Sequence, residues 1–346
     1  MAAPQERRGI ASGGMWVVDR VKAVDQLPAP DRLATIRSEE VSTGGAPANV
    51  LADLARLQSP FPLIGLGVVG DDEGGAYILD TFRGLGVDLS HMARTDRART
   101  SYTDVMSHGE TGRRMFFHHR GANDLFGPEH VPVRSLSCRI FHLGYLLMLP
   151  RLDEPDAACG TVAARLLRDL REAGIRTSID TVTLESDRYR TIVPPALRHT
   201  DYLVMNEVEV ARITGREARA GDGRLDGAAL ADAVAEGMAM GPMALTAVHR
   251  PEGFFAVDRA GHRFSRGSFR LPEGFIKGVV GAGDAFCAGV LYGLHEGWDP
   301  ERSAHLGTCC AAASLSAEGA TDGVKPLAEV LELGRRFPER EPPVRV

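Results

Sequence analysis

From Arg139 onward the chain alternates two hydrophobic rhythms, and this alternation constrains the fold more than any other feature. Strand-like runs at 139–144, 175–180, 202–206 and 243–248 are separated by helix-period patterns at 160–173, 207–214 and 227–239. Strands joined through helices become parallel neighbours. The pattern therefore predicts a doubly wound, mostly parallel sheet with helices on both faces. Residues 254–258 and 262–269 read as a late hairpin, followed by helices at 284–296, 300–317 and 326–335. The tail 338–346 is charged and proline-rich and is expected to fray.

The first 120 residues have a different texture. Strands are expected at 15–24 and 35–42, helices at 47–57 and 74–85, and a short apolar run at 61–69. Two further strand-like runs, 101–106 and 114–119, flank Ser107-His108-Gly109-Glu110-Thr111-Gly112, a hairpin signal. The early strands, at about 15–42 and 100–119, are too polar for a doubly wound core. They suit a small β-sheet lid over the mouth of a large domain spanning 13–337, behind a flexible N-terminus of residues 1–12. No internal repeat is visible.

Bulk composition narrows the partners. With 346 residues, 44% hydrophobic and 25% charged, the chain suits one large α/β domain or two smaller ones. A net charge of −6 and a pI near 6.0 argue against nucleic acid or an acidic membrane surface as partner. No apolar stretch approaches the roughly 18 residues of a membrane span. Residues 1–12 lack the apolar core of a signal peptide. Cys138, Cys159, Cys287, Cys309 and Cys310 have no C-x-x-C spacing and suit reduced thiols, hence a cytoplasmic protein.

Four motifs carry chemistry. Gly281-Ala282-Gly283-Asp284 precedes an apolar run and reads as a glycine turn opening a buried helix. Free amides at such a helix start bind anions. A carboxylate there is either a plain N-cap or a general base beside the anion it helps to attack. Gly44-Gly45-Ala46-Pro47-Ala48-Asn49 is either a turn before a helix or glycines that bring backbone and Asn49 against a polyol. Asn206-x-x-Glu209, at a strand end, is a capping box, an organiser of water around Mg²⁺ and phosphate, or both. Arg120-Gly121-Ala122-Asn123 places Asn123 either against a sugar or in a turn.

Other patterns point elsewhere. Gly65-x-Gly67-x-x-Gly70 matches a dinucleotide fingerprint and keeps a dehydrogenase reading open, but Asp71-Asp72-Glu73 follow where a pyrophosphate would sit. His118 and His119 are neighbours on a strand and face opposite ways, which argues against one shared metal. Neither G-x-S-x-G, H-E-x-x-H nor G-x-x-x-x-G-K-[ST] occurs.

The ordered set Met15–Asp19, Gly44-Gly45-x-x-x-Asn49, Gly65-x-Gly67-x-x-Gly70-x-Asp72, Asn206-x-x-Glu209 and Gly281-Ala282-Gly283-Asp284 resembles the ribokinase-like, or PfkB, family of carbohydrate and nucleoside kinases. The resemblance spans about residues 13 to 335. It implies a ribokinase-like α/β domain with a β-sheet lid that often doubles as a homodimer contact. It implies phosphorylation of a hydroxyl, a primary one in the first instance, on a sugar or sugar-like molecule by ATP and Mg²⁺. By the same resemblance Asp284 is the base and Gly281, Ala282 and Gly283 form the anion hole. Asp19, Gly44, Gly45, Asn49 and Asn123 bind the acceptor. Asn206, Glu209, Thr246, His249 and Gly253 serve the nucleotide, with Glu209 reaching Mg²⁺ through water.

Two departures stand out. The family carries Asp-Thr-x before G-A-G-D, whereas this chain has Gly278-Val279-Val280, so a monovalent-cation requirement is doubtful. The nucleotide strand runs Thr246-Ala247-Val248-His249-Arg250-Pro251-Glu252-Gly253. There His249 contacts phosphate, crowds it, or fills the turn. Two other readings stay open: a nucleoside kinase, with Met15, Trp16, Met106, Phe117 or Tyr145 near a base ring, and a non-catalytic sugar-binding homologue.

Overall fold

The computed structural model describes residues 7–108, 113–221, 223–241 and 243–346. The tip of the expected hairpin at 107–112 lies largely outside the described residues, as do residues 1–6. The first part of the chain runs β1 (Ile10–Gly14), β2 (Val17–Val24), β3 (Ile36–Gly44), α1 (Ala46–Arg56), β4 (Leu63–Gly70), α2 (Glu73–Gly84), β5 (Asp88–Thr95), β6 (Tyr102–His108) and β7 (Arg114–His119). After two 3₁₀ turns come β8 (Ile140–Leu146), α3 (Pro150–Asp153), the short pair β9 (Pro155–Asp156) and β10 (Gly160–Thr161), and α4 (Val162–Glu172). Then follow β11 (Arg176–Thr181), α5 (Tyr189–Leu197), β12 (Tyr202–Asn206), α6 (Glu207–Thr214) and α7 (Gly227–Ala239). The chain ends with β13 (Leu245–Arg250), β14 (Gly253–Asp258), β15 (Arg263–Gly267), α8 (Ala282–His295), α9 (Pro300–Ser314) and α10 (Leu327–Arg336).

Nine strands form one sheet in the order β15-β14-β13-β12-β11-β8-β1-β4-β5. All pairings from β13 to β5 are parallel, and β14 and β15 add an antiparallel edge. Successive residues on a strand face opposite ways. Leu203, Met205 and Val248 therefore enter one core, with α4 to α7, while Val204, Leu245 and Ala247 enter the other, with α1, α8 and α9. Burial on both faces is why these strands read as continuous apolar runs. Four more strands form a separate sheet in the order β3-β2-β6-β7, and β9 and β10 pair only with each other.

Several local expectations need correction. Residues 10–12 are not a flexible arm: Ile10, Ala11 and Ser12 are fully buried in β1, an interior strand paired on both sides. The expected first strand at 15–24 is β2, which begins at Val17 in the small sheet; a separate strand, β1, precedes it in the large sheet, and the two are divided at Met15-Trp16, where the Met15 N–H donates to the Gly144 carbonyl at 2.8 Å. Edge strand β5 and helix α5 were not anticipated. The latter contains Pro194 and Pro195, which oppose helix by propensity, yet it buries Tyr189, Ile192, Val193, Ala196 and Leu197. The glycines at 65, 67 and 70 lie inside β4, not in a loop that opens a helix. A Cβ at Gly67 would lie 2.3 Å from Trp16 Cδ1 and one at Gly70 would lie 2.5 Å from Thr100 N. They are glycines because a tryptophan and another backbone press on the strand, which removes the support for a dinucleotide fingerprint.

Candidate active site

The site forms where the parallel strands end and α8 begins, the usual ligand position in an open α/β sheet. Gly281 takes the left-handed conformation (φ 78°), and a Cβ there would lie 2.3 Å from the Ala320 carbonyl. Only glycine fits both conditions. The turn leaves the first amides of α8 without an intrahelical acceptor and puts Asp284 in the first helical turn.

Asp284 accepts hydrogen bonds from Asn49 Nδ2 at 2.8 Å and from the Tyr145 hydroxyl at 3.4 Å. Burial raises its pKa to about 6, against the lowering effect of those two donors. The N-cap of α8 is Gly281, and Asp284 lies within the first helical turn, which removes the plain N-cap reading. Asn49 is oriented by α1, whose entry turn includes Gly45 (φ 93°). A Cβ on Gly45 would lie 2.0 Å from the Met15 carbonyl, and one on Gly44 would lie 2.0 Å from Asp19 Oδ2. The glycine pair thus lets the lid residue Asp19 and the helix residue Asn49 come together beside Asp284.

Asp19 is also raised to about 6 by burial, with a Thr103 hydrogen bond lowering it. Strand register sets Ser42, Asp19, Thr103 and His118 in one row across the lid. In that row His118 Nδ1 lies 3.1 Å from Thr103 Oγ1. His119 faces the other way and stacks on Tyr102 with ring centroids 5.0 Å apart.

Asn123 does not reach this cluster. It is fully buried, its Oδ1 accepts from Trp16 N–H at 3.1 Å, and its Nδ2 donates to the Trp16 carbonyl at 3.0 Å. Both ends of its amide hold the crossing from β1 to β2, and the side chain is sealed from the cavities. Trp16 itself is core, edge-on to Phe82 with ring centroids 4.9 Å apart.

Two cavities meet at the start of α8. A polar one of about 150 Å³ is lined by Tyr145, Asp180, Thr183, Asn206, Glu209 and Asp284, among others. A larger one of about 560 Å³ has apolar walls that include Phe269, Leu271, Phe286, Ala312 and Leu315. Asn206, His249 and Gly283 line both.

The capping box is realised. Asn206 Oδ1 accepts from the Val208 and Glu209 amides at 2.9 and 3.0 Å, and Glu209 Oε2 accepts from Asn206 N–H at 3.1 Å. Thr183 donates to Glu209 Oε1 at 3.0 Å. Burial raises Glu209 to about 7, and burial with the nearby Glu209 and Asp284 carboxylates holds Asp180 well above the usual range.

His249 lies across the turn that opens α8: a Cβ on Gly283 would be 3.0 Å from His249 Cε1, and the ring centroid is 5.1 Å from that of Phe286. Burial lowers its pKa to about 4, so the ring is neutral near pH 7. Gly253 lines the larger cavity. Thr246 does not: it is buried with its hydroxyl against Met238 and Met243 sulfurs at 3.3 and 3.4 Å. Positions 246 and 249 are an odd number apart on a strand and must face opposite ways.

Sequence reasoning passed over Asp180, Thr183 and the Tyr145 hydroxyl. Tyr145 and Asp180 lie near the C-terminal ends of β8 and β11, positions that the strand-end rule for α/β sheets would have singled out. Among the described residues no three His, Cys, Asp or Glu converge to hold a metal ion.

A doubly wound sheet, a small separate sheet and a buried carboxylate in the first turn of α8 are the frame of a small-molecule kinase. The chain belongs to the pfkB family of carbohydrate kinases, whose family model matches residues 8–326. It is similar to an ATP-dependent ribose-1-phosphate kinase of Halopiger xanaduensis, with 29% identity over 95% of this chain and 99% of that protein. A fructokinase of Klebsiella pneumoniae is 30% identical over 89% of this chain and 95% of its own length. Among solved structures, an Arabidopsis thaliana ribokinase complexed with ribose and ATP superposes with a TM-score of 0.77 at 20% identity, covering 94% of this chain and 98% of that one. A Methanocaldococcus jannaschii nucleoside kinase gives 0.70 at 18%, covering 95% and 98%. Both have the ribokinase fold found here. No helix among the described residues is long and apolar enough to cross a membrane.

Proposed function

We propose that this carbohydrate kinase transfers the terminal phosphoryl group of ATP to a primary hydroxyl of a sugar, working in the cytoplasm. The observation that carries the reading is Asp284, hydrogen-bonded by Asn49 and Tyr145 and facing a cavity that opens at the anion-hole turn. As the acceptor hydroxyl attacks, ionised Asp284 takes its proton. The amides of the Gly281–Gly283 turn meet the charge on the transferring group. Asp19 and Asn49, beside Gly44 and Gly45, hold neighbouring acceptor hydroxyls and align the attack. The 560 Å³ cavity receives the nucleotide, its apolar walls suiting a base.

Asp180 and Glu209 offer the hard carboxylate oxygens that suit Mg²⁺. Both Glu209 oxygens already accept protein hydrogen bonds, which favours contact through water. The ion, when bound, neutralises charge on the nucleotide phosphates. Gly278-Val279-Val280 carries no side-chain oxygen for a monovalent cation. The lid exposes Ile36, Val41, Phe116 and Phe117, and a homodimer that covers them is proposed.

The test is acceptor-dependent ADP release from Mg-ATP over ribose, fructose, ribose 1-phosphate and a nucleoside, with and without K⁺. Release with a sugar that is lost in Asp284→Asn is expected. Release with the nucleoside alone would move the acceptor class. Equal release by native protein and Asp284→Asn would overturn the role of Asp284.

A further inference from the structure

The end of the chain, expected to fray, is bound down. Arg270 N–H donates to the Pro338 carbonyl at 2.8 Å and Arg340 N–H donates to the Ser268 carbonyl at 2.7 Å. Between them Phe269 and Glu339 form an antiparallel bridge. Glu339 is ion-paired with Arg266. Val344 is buried, and its N–H donates to Ser265 Oγ at 3.2 Å. Gly267 makes the approach possible, since a Cβ there would lie 2.0 Å from the Arg340 carbonyl. This segment lies beyond the residues 8–326 that the family model matches.

The docked tail sets Arg340 in the wall of the 560 Å³ cavity. Its Nε donates to the Phe269 carbonyl at 3.4 Å, and the side chain is exposed. The cavity has two kinds of wall. Asn206, His249 and the α8 turn offer polar groups suited to phosphate, whereas Phe269, Leu271, Ala312 and Leu315 are apolar. Through the Phe269 carbonyl, Arg340 is anchored at the apolar wall. A guanidinium is planar and weakly hydrated, and it stacks on aromatic faces.

We propose that Arg340 is a nucleobase-binding residue of the donor site, its guanidinium covering the face of a base seated against the Phe269 wall, with residues 338–344 as its fixed support. This rests on the reading of the cavity as the nucleotide site.

Calorimetry with ADP and with inorganic pyrophosphate separates the base from the phosphates. Arg340→Ala is expected to weaken ADP binding about 5- to 20-fold, to leave pyrophosphate binding unchanged, and to raise the KM for ATP with kcat retained. Arg340→Lys recovers only part of the loss, because an ammonium cannot stack as a plane. Gly267→Val, which pushes the tail away, reproduces the loss for ADP. Unchanged ADP binding by Arg340→Ala, or equal weakening of ADP and pyrophosphate, would overturn the proposal. Failure of the native protein to bind ADP or ATP would overturn the nucleotide-site reading itself, and is read before any variant is made.

Discussion

Replacing Asp284 with Asn tests the buried carboxylate through stability as well as rate. Asp284 is 9% exposed, and burial lifts its pKa from 3.8 to about 6. Below about pH 4 native and unfolded chains both hold the proton, and the raised value costs nothing. As the pH climbs to about 6 the unfolded chain releases its proton first, so native stability falls; above about 6 the loss is complete. The gap of about two pH units, at about 1.36 kcal/mol each, comes to about 3 kcal/mol. Unfolding entropy for a chain of this length is about 0.7 kcal/mol per kelvin, so about 3 kcal/mol is about 4 °C in Tm. Asp284→Asn, which cannot ionise and keeps an oxygen for Asn49, is therefore expected to melt about 4 °C above the native protein at pH 8 and level with it near pH 4. Its kcat should fall by about 10²- to 10⁴-fold. Calorimetric melts of both proteins from pH 4 to 8, with ADP release at each pH, supply the data. A variant that melts below the native protein at pH 8, or a Tm difference that ignores pH, would refute the reasoning.

Three further outcomes follow from the same geometry. The kcat/KM profile should rise through about pH 6 as Asp284 ionises; in Asn49→Ala, which removes a donor that lowers this pKa, the acid limb should move to higher pH. Asn123→Ala should cost about 2–4 kcal/mol in denaturant unfolding, because it strands two buried Trp16 backbone groups; acceptor KM should change less than in Asp19→Asn. Gly281→Ala should lose most activity while ADP still binds weakly, because a Cβ meets the Ala320 carbonyl at 2.3 Å and the residue sits at φ 78°; native-like kcat in that variant would show that the turn is not essential.

Much of the site was legible because its residues lie at element boundaries, where glycine, asparagine and acidic residues have restricted uses. The G-A-G-D turn, the Gly44-Gly45 turn and the Asn206–Glu209 capping box were each recognisable within one short segment. The misreadings share a cause. Asn123 and Thr246 were assigned by their place in a motif, yet one is spent on Trp16 and the other on Met238 and Met243. Gly65, Gly67 and Gly70 imitated a phosphate loop because Trp16 needs the room at the first two and the backbone near Thr100 needs it at the third.

Local chemistry determined the order of elements, the parallel sheet, the polar strands of the lid and the turn that opens α8. These depend on side-chain period, backbone freedom and capping, all of which act within a few residues. Tertiary structure alone decided which oxygen meets which donor: Asn49 on Asp284 across 235 positions, Tyr145 beside them, Asp180 near Glu209, and Arg340 on the wall of a cavity built from β12, β13, α8 and α9. Such contacts depend on how two cores pack on opposite faces of one sheet, and no short stretch of sequence carries that information.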